Sequence, residues 1–263
     1  EMFRGRLVPC HEVPERLEHV LAELQRRGLG RLARPDPGPD AAFDELLQRV
    51  HAPPYLRFLA RAWNDWVRLD PANAALDALP SVWPVRGMRT DVEPDNFAAR
   101  LGLYAFDAGT PLTAGSWAAA LAGARCAVQA ARAVAAGRER AAFALTRPPG
   151  HHAGADFFGG YCFLNNAAVA AQALRTQGCD RVAVLDVDYH HGNGTQSLFY
   201  ERADVLFASL HGDPRTEYPF YLGHADETGR GAGEGFNLNL PLPAGSATST
   251  WFEALEDRKS TRL

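Results

Sequence analysis

The chain has 263 residues, of which 46% are hydrophobic, and this is enough to fill one α/β domain. Its formal net charge of -4 gives no electrostatic reason to expect nucleic-acid binding. No apolar run approaches the roughly 18 residues needed to span a bilayer, and four scattered cysteines are typical of reduced thiols. The composition therefore favours a cytoplasmic protein without nucleic-acid or membrane partners.

The first half of the chain is predicted to be mainly helical. The spacing of its apolar residues, together with the Gly and Pro residues that follow, sets the helix ends. The predicted helices span residues 12–27, 44–50, 57–67 and 115–136. Four prolines predict a long loop over residues 70–95.

A pair of adjacent histidines follows the apolar segment 141–145, which we interpret as a strand. His151 and His152 stand at the end of the turn that comes after it. In an open α/β sheet, ligands bind outside the carboxyl ends of the strands. Taken alone, such a pair is structural or merely exposed as often as it is functional, so its interpretation depends on a second cluster.

The second cluster follows residues 182–185, whose apolar composition is typical of a parallel strand buried on both faces. Asp186, Asp188 and His190 stand at i, i+2 and i+4, so their side chains leave the extended chain on one side. A carboxylate oxygen and an imidazole nitrogen can then reach the same ion. This segment is therefore predicted to form half of a metal site.

The remaining elements alternate between helix and strand. Further helices are predicted over residues 165–176 and 195–200 and from residue 249, and further strands over 205–210 and 236–240. This alternation is typical of an α/β domain with a mainly parallel sheet.

Four ordered motifs carry a family resemblance. They are R-P-P-G-H-H-A from Arg147, G-Y-C-F-L-N-N from Gly160, L-D-V-D-Y-H-H-G-N-G-T-Q from Leu185 and S-L-H from Ser209. Through these motifs the chain resembles the zinc-dependent histone deacetylase and acetylpolyamine amidohydrolase family. Its third motif resembles more closely that of the polyamine branch and its class II relatives. The resemblance implies a single-domain, three-layer α/β/α fold of the arginase/deacetylase type with a mainly parallel sheet.

The resemblance also implies a reaction, the zinc-dependent removal of an acetyl group from an acetylpolyamine or from acetyl-lysine. It assigns the zinc ion to Asp188 and His190. It makes His152 the general base and acid, with His151 acting mainly through its charge. Zinc would polarise the carbonyl and lower the pKa of the attacking water to roughly 7.

Further roles come from the same resemblance. Asp186 and Asn193 would stand behind the tandem histidines, and the Gly160 carbonyl would accept the substrate amide N–H. Tyr161 would form one wall of a narrow tunnel, faced by an aromatic residue from the segment 218–221. The residues that match the family's inner potassium site are Asp186, Asp188, His190, Ser209 and Leu210.

Two parts of the family's machinery are not found in these 263 residues, namely a third zinc ligand and a tyrosine that stabilises the oxyanion. We therefore expect residues 1–256 to be a deacetylase-like domain incomplete at both ends, with negligible activity by itself. Residues 257–263 are interpreted as a non-native read-through tail. The intact parent protein is expected to be an enzyme.

Substrate choice is left open between acetylpolyamine and acetyl-lysine. Glu93 and Asp107 are nominated to bind the distal ammonium groups of a polyamine, although ordinary solvated carboxylates are the better expectation. A homodimer is possible because a loop near residues 70–95 contributes to dimers in the polyamine branch. Two alternatives remain, a binuclear manganese ureohydrolase, whose hallmark Asp-x-His-x-Asp differs from the order found here, and a non-catalytic protein that binds acetylated amines.

Overall fold

The structure is a computed structural model that describes residues 1–3, 5–35 and 40–262. Side chains are described for the same residues except 3 and 257–262, so those of the interpreted tail lie outside the described part. By contacts between residues, the chain divides into two compact units, Glu1–Ala173 and Leu174–Leu263.

The first unit is mainly helical, as its apolar spacing predicts. It opens with the antiparallel pair β1 and β2 and continues with helices α1 to α6 and a 3-10 turn. Their bounds are β1 Met2–Phe3, β2 Arg6–Leu7, α1 Glu15–Arg26, α2 Ala41–Val50, α3 Pro53–Leu69, the 3-10 turn Pro71–Ala75, α4 Phe97–Tyr104, α5 Ser116–Ala135 and α6 Asn166–Thr176.

Local chemistry fixes several of these helix ends. Asp40 caps α2 because its carboxylate accepts the N–H of Phe43 at 3.0 Å. The start of α3 lies four residues before the predicted one, since Pro53 and Pro54 occupy the first turn, where no N–H is needed. The apolar faces of these two helices supply part of the core, with Phe43, Leu47, Tyr55, Phe58 and Leu59 buried.

The second unit contains a three-stranded parallel sheet in the order β3-β4-β5. Its elements are β3 Val182–Asp186, α7 Asn193–Phe199, β4 Val205–Gly212, the 3-10 turn Gly231–Gly233, β5 Asn237–Leu242 and α8 Thr248–Arg262. The predicted α/β class with a parallel sheet and flanking helices is confirmed. Helix α7 and strand β4 lie close to each other, as expected for a helix that connects two parallel strands.

Two expectations about strands are wrong. Residues 141–145 form no strand, since no described segment pairs with them, and Phe143 is 68% exposed. Strand β3 is not buried on both faces, because it is an edge strand of its sheet and Leu185 is 52% exposed. An apolar run predicts an extended chain but does not say which strand lies beside it.

Among the described helices, none combines the length and the apolar character that crossing a bilayer requires.

Candidate active site

The tandem histidines lie in a loop of the first unit. The rings of His151 and His152 are 4.0 Å apart between centroids and inclined by 47°. His152 is 3% exposed, whereas His151 is partly exposed. The structure therefore protects one imidazole from bulk water and leaves its neighbour in contact with it.

His51, from the end of α2, supports the segment that follows these histidines. Its Nδ1–H donates to the Gly154 carbonyl at 2.8 Å, and its Nε2 accepts the Asn165 N–H at 3.0 Å. Burial lowers the pKa of His51 to about 4. The ring is therefore neutral at pH 7, and its two bonds fix one tautomer. Tyr55 adds a further bond by donating its O–H to the Phe163 carbonyl at 2.6 Å.

Gly160 and Tyr161 are the two central residues of a tight turn, which we call turn 159–162. The N–H of Cys162 donates to the Gly159 carbonyl at 2.8 Å. Both central residues have positive φ, 53° at Gly160 and 65° at Tyr161, as a type I′ turn requires. A tyrosine rarely adopts this conformation, so surrounding contacts must hold it there.

The backbone of Gly160 lies directly against His152. A β-carbon at residue 160 would be 2.1 Å from Cδ2 and 2.9 Å from Nε2 of that ring. These distances are shorter than any side chain tolerates. Glycine at residue 160 therefore allows the main chain to approach the ring of His152.

The phenol of Tyr161 is half-buried and donates a hydrogen bond to Glu1 Oε2 at 2.5 Å. Burial first, and then this carboxylate, raise the pKa of Tyr161 above its usual range. The side chain is thus held in one orientation as a neutral phenol, which suits the predicted wall of a substrate channel.

The two carboxylates nominated for ammonium binding are engaged within the protein. Asp107 accepts three backbone N–H groups, from Gly109 and Thr110 on Oδ1 and from Gly160 on Oδ2. Glu93 accepts the Tyr104 O–H at 2.7 Å and lies 3.8 Å from an Arg100 nitrogen. The bond between Asp107 and Gly160 could not be found from the sequence, because it joins segments whose pairing is set by the fold.

The predicted metal ligands lie at the carboxyl end of β3 in the second unit. The His190 N–H donates to Asp188 Oδ1 at 2.8 Å, and the Asp188 N–H donates to Asp186 Oδ1 at 3.1 Å. Nδ1 of His190 lies 3.8 Å from Asp188 Oδ1. Both side chains are about half exposed, with values of 42% and 54%. The structure thus brings the two predicted donors together on one turn.

These two donors fit the implied zinc ion in chemistry. An imidazole nitrogen and a carboxylate oxygen are zinc ligands at roughly 2.0–2.2 Å, so donor atoms 3.8 Å apart can share one ion. Within the described residues, however, no group of three His, Cys, Asp or Glu side chains is placed to hold a metal. The predicted ligands Asp188 and His190 would be two of the three protein ligands that a catalytic zinc site usually has.

Three of the residues predicted for potassium, Asp186, Ser209 and Leu210, lie on neighbouring strands of the same sheet. Asp186 at the end of β3 is paired in register with Ser209 of β4. Ser209 and Leu210 are buried, with exposures of 0% and 2%. The hydroxyl of Ser209 also lies 2.8 Å from Nδ1 of His211. The potassium assignment itself stays a prediction.

The second unit also contains a pair of buried histidines, to which the sequence analysis gave no role. His191 is fully buried, and its ring centroid lies 4.6 Å from that of His211. Burial, and then the neighbouring His211, lower the pKa of His191 to about 3. Asn193 is also buried and begins α7, where its N–H donates to the His191 carbonyl at 2.9 Å. The roles predicted for Asp186 and Asn193 towards the tandem histidines stay predictions.

One aromatic side chain of the segment 218–221 packs on a predicted metal ligand. The ring of Tyr218 lies 5.7 Å from that of His190 and meets it edge-on at 89°. Phe220 and Tyr221 are 48% and 88% exposed. The sequence did not distinguish among these three aromatics, and which of them faces Tyr161 stays a prediction.

The α/β fold is that of the deacetylase and amidohydrolase class of enzymes. The family described as "Histone deacetylase domain" matches residues 10–261, and the chain belongs to this family. This match disfavours the ureohydrolase alternative.

Several similar proteins are acetylpolyamine amidohydrolases. The chain is 52% identical over 256 residues to acetylpolyamine amidohydrolase 2 of Pseudomonas aeruginosa, covering 97% of this chain and 72% of that protein. It is 46% identical to acetylpolyamine amidohydrolase of Mycoplana ramosa, covering 98% and 73%. The crystal structure of acetylpolyamine aminohydrolase from Burkholderia pseudomallei superposes with a TM-score of 0.88 at 41% identity, covering 98% of this chain and 72% of that one.

Proposed function

We propose that this protein is a zinc-dependent amidohydrolase that removes acetyl groups from N-acetylated amines, with acetylpolyamines as the substrate class. The similarity to acetylpolyamine amidohydrolases over nearly the whole chain supports the substrate class. The observation that carries the reaction type is the close approach of Gly160 to the ring of His152.

This contact suits proton transfer to an amide nitrogen. In the proposed reaction the Gly160 carbonyl accepts the substrate N–H, and this bond holds the amide nitrogen beside His152. A general acid must come within about 2.6–3.2 Å of the atom that it protonates. A β-carbon at residue 160 would lie 2.1 Å from Cδ2, 2.7 Å from Cγ and 2.9 Å from Nε2 of His152, so this turn lies close to the ring, and that closeness supports proton transfer between the bound amide and His152.

His152 carries out both proton transfers of the proposed hydrolysis. Hydrolysis adds one water across the C–N bond, so that a C–O bond forms, the C–N bond breaks, and acetate and an amine leave. Nε2 takes the proton that the water loses and passes it to the leaving nitrogen. His151, with its ring centroid 4.0 Å away, influences this transfer through its charge.

Asp188 and His190 would hold the zinc ion in this proposal. A bound zinc ion supplies polarisation of the carbonyl and a lowered pKa of water. Since Asp188 and His190 would be only two donors, we propose that the 263-residue chain binds zinc weakly and has negligible activity by itself. The possible potassium site, homodimer and cytoplasmic location are part of the same proposal and await their own measurements.

The proposal is tested by measuring acetate release from an N-acetylated polyamine and from an acetyl-lysine peptide with added zinc. The assay is run on the 263-residue chain and on the protein encoded by the whole gene. We expect the whole protein to prefer the acetylated polyamine and to lose activity with a chelator. Binding of the polyamine without acetate release would instead favour the non-catalytic alternative.

A matched pair of variants separates chemistry from folding. Removing a general base typically costs about 100- to 10,000-fold in rate, and we expect this loss for His152→Gln. His19→Gln, on the exposed face of α1, is the control and should behave as wild type. Equal rates for the two variants would overturn the role of His152.

A further inference from the structure

We propose that Asp107 and Thr110 are positioning residues for turn 159–162. Together they hold Gly160 and Tyr161 in the left-handed conformation that brings the Gly160 backbone against His152. The inference rests on the proposed function for its kinetic consequence, whereas its structural consequence can be measured independently.

The two central N–H groups of turn 159–162 have specific acceptors. The Gly160 N–H donates to Asp107 Oδ2 at 2.7 Å, and the Tyr161 N–H donates to Thr110 Oγ1 at 3.0 Å. In an exposed hairpin turn, such groups would face water. Here the chain satisfies both of them with side chains that are more than fifty residues away in sequence.

The acceptors are themselves fixed by their own loop. Oδ1 of Asp107 accepts the N–H groups of Gly109 and Thr110 at 3.0 and 3.1 Å. Thr110 is 1% exposed. The Phe106 N–H, which precedes this loop, donates to the Phe158 carbonyl, which precedes the turn, at 3.0 Å. The loop and the turn therefore begin from two segments that are hydrogen-bonded to each other. The carboxylate of Asp107 therefore connects a rigid loop to the turn.

A connection of this kind matters because Tyr161 has an unfavourable conformation. In the left-handed region the β-carbon of an L-residue comes too close to the following carbonyl oxygen. Without acceptors for both N–H groups, the turn would relax and move the Gly160 backbone away from the ring of His152. A displacement of about 1 Å at a reacting group can cost on the order of 100-fold in rate.

Asp107→Asn tests the bond to Gly160 separately from the local bonds to the N–H groups of residues 109 and 110. Asparagine keeps one acceptor oxygen, which can cap residues 109 and 110, but it then presents an NH2 group to the Gly160 N–H. A flipped amide would restore the Gly160 contact and lose the local cap. Asp70→Asn is the matched control, since Asp70 caps a 3-10 turn through a local bond to the Ala72 N–H at 2.9 Å.

The first measurement is amide hydrogen exchange in the 263-residue chain. We expect Asp107→Asn and Thr110→Val to raise the exchange rates of Gly160 and Tyr161 by about tenfold, with the amides of α5 unchanged. Thr110→Ser retains the hydroxyl and should restore protection at Tyr161. Unchanged exchange at residues 160 and 161 in both variants would overturn the inference.

The second measurement is kcat/KM in the protein encoded by the whole gene. We expect a decrease of about 10- to 100-fold for Asp107→Asn, mostly in kcat, with Asp70→Asn like wild type. If wild type shows no deacetylation while exchange still depends on Asp107, the proposed function fails and the positioning role stands. If wild type is active and Asp107→Asn matches it, the kinetic role is overturned and the proposed function stands.

Discussion

The backbone of Gly160 and the imidazole of His152 are in contact at a distance that leaves no space for a β-carbon. An added Cβ at residue 160 would be 2.1 Å from Cδ2 of His152. This contact joins the residue proposed to bind the substrate amide to the residue proposed to protonate it. It therefore makes the glycine a requirement of the chemistry and not merely of the turn.

Replacement of Gly160 by alanine should abolish most of the activity. The new methyl group must displace the His152 ring or the turn, and either movement misplaces the proton donor. We expect kcat/KM to fall by at least about 100-fold. Acetate release from an acetylated polyamine measures this, and a wild-type rate for Gly160→Ala would contradict the proposed arrangement.

Gly137→Ala provides the matched control for this variant. Gly137 also has a positive φ, 66°, but an added Cβ there would meet no atom within 4 Å. Both substitutions carry the left-handed penalty of roughly 1–2 kcal/mol. Urea unfolding should show that cost in Gly137→Ala while its activity remains that of wild type.

Acid should destabilise the first unit through His51. The folded state holds this ring neutral, with its pKa lowered from 6.5 to about 4 by burial. As the pH falls below 6.5, the unfolded chain therefore binds a proton that the folded chain excludes. The contribution of His51 to the free energy of unfolding is therefore complete above pH 6.5. It is lost at up to about 1.4 kcal/mol per pH unit as the pH falls towards 4.

The measurement is urea unfolding of wild type and His51→Gln between pH 7 and pH 4. The variant should be less stable at pH 7, because bonds to Gly154 and Asn165 are lost. Its stability should depend less on pH than that of wild type. The same slope in both proteins would show that His51 does not carry the effect.

The sequence predicted those features that depend on neighbouring residues. Helical periodicity found the main helices. The i, i+2, i+4 spacing of Asp186, Asp188 and His190 predicted donors on one side of an extended chain, whereas β3 ends at Asp186 and a turn brings Asp188 and His190 to within 3.8 Å of each other. The bond between Asp107 and Gly160 was missed, because it joins residues 53 apart in sequence. Residues 141–145 were predicted as a strand and are not one, since pairing depends on a partner that the local pattern does not reveal.

Zinc affinity should depend on Asp188 and His190. Loss of a residue that merely orients a zinc ligand typically costs about 10- to 100-fold in affinity, so loss of a direct donor should cost at least as much. We expect Asp188→Asn and His190→Gln each to weaken zinc binding by that amount in equilibrium dialysis. Asp180→Asn, at an exposed carboxylate, is the control. Unchanged zinc binding in both donor variants would place the metal elsewhere.

Tyr218 should affect zinc binding through His190. Its ring meets the imidazole edge-on at 5.7 Å and restricts the orientation of that ligand. An aromatic pair of this geometry contributes about 0.5–1.5 kcal/mol, so Tyr218→Ala should weaken zinc binding by up to about tenfold. Tyr218→Phe keeps the ring and should bind zinc like wild type. Tyr221→Ala, at a side chain that is 88% exposed, is the control. If Tyr218→Phe were as defective as Tyr218→Ala, the phenol hydroxyl and not the ring contact would be responsible.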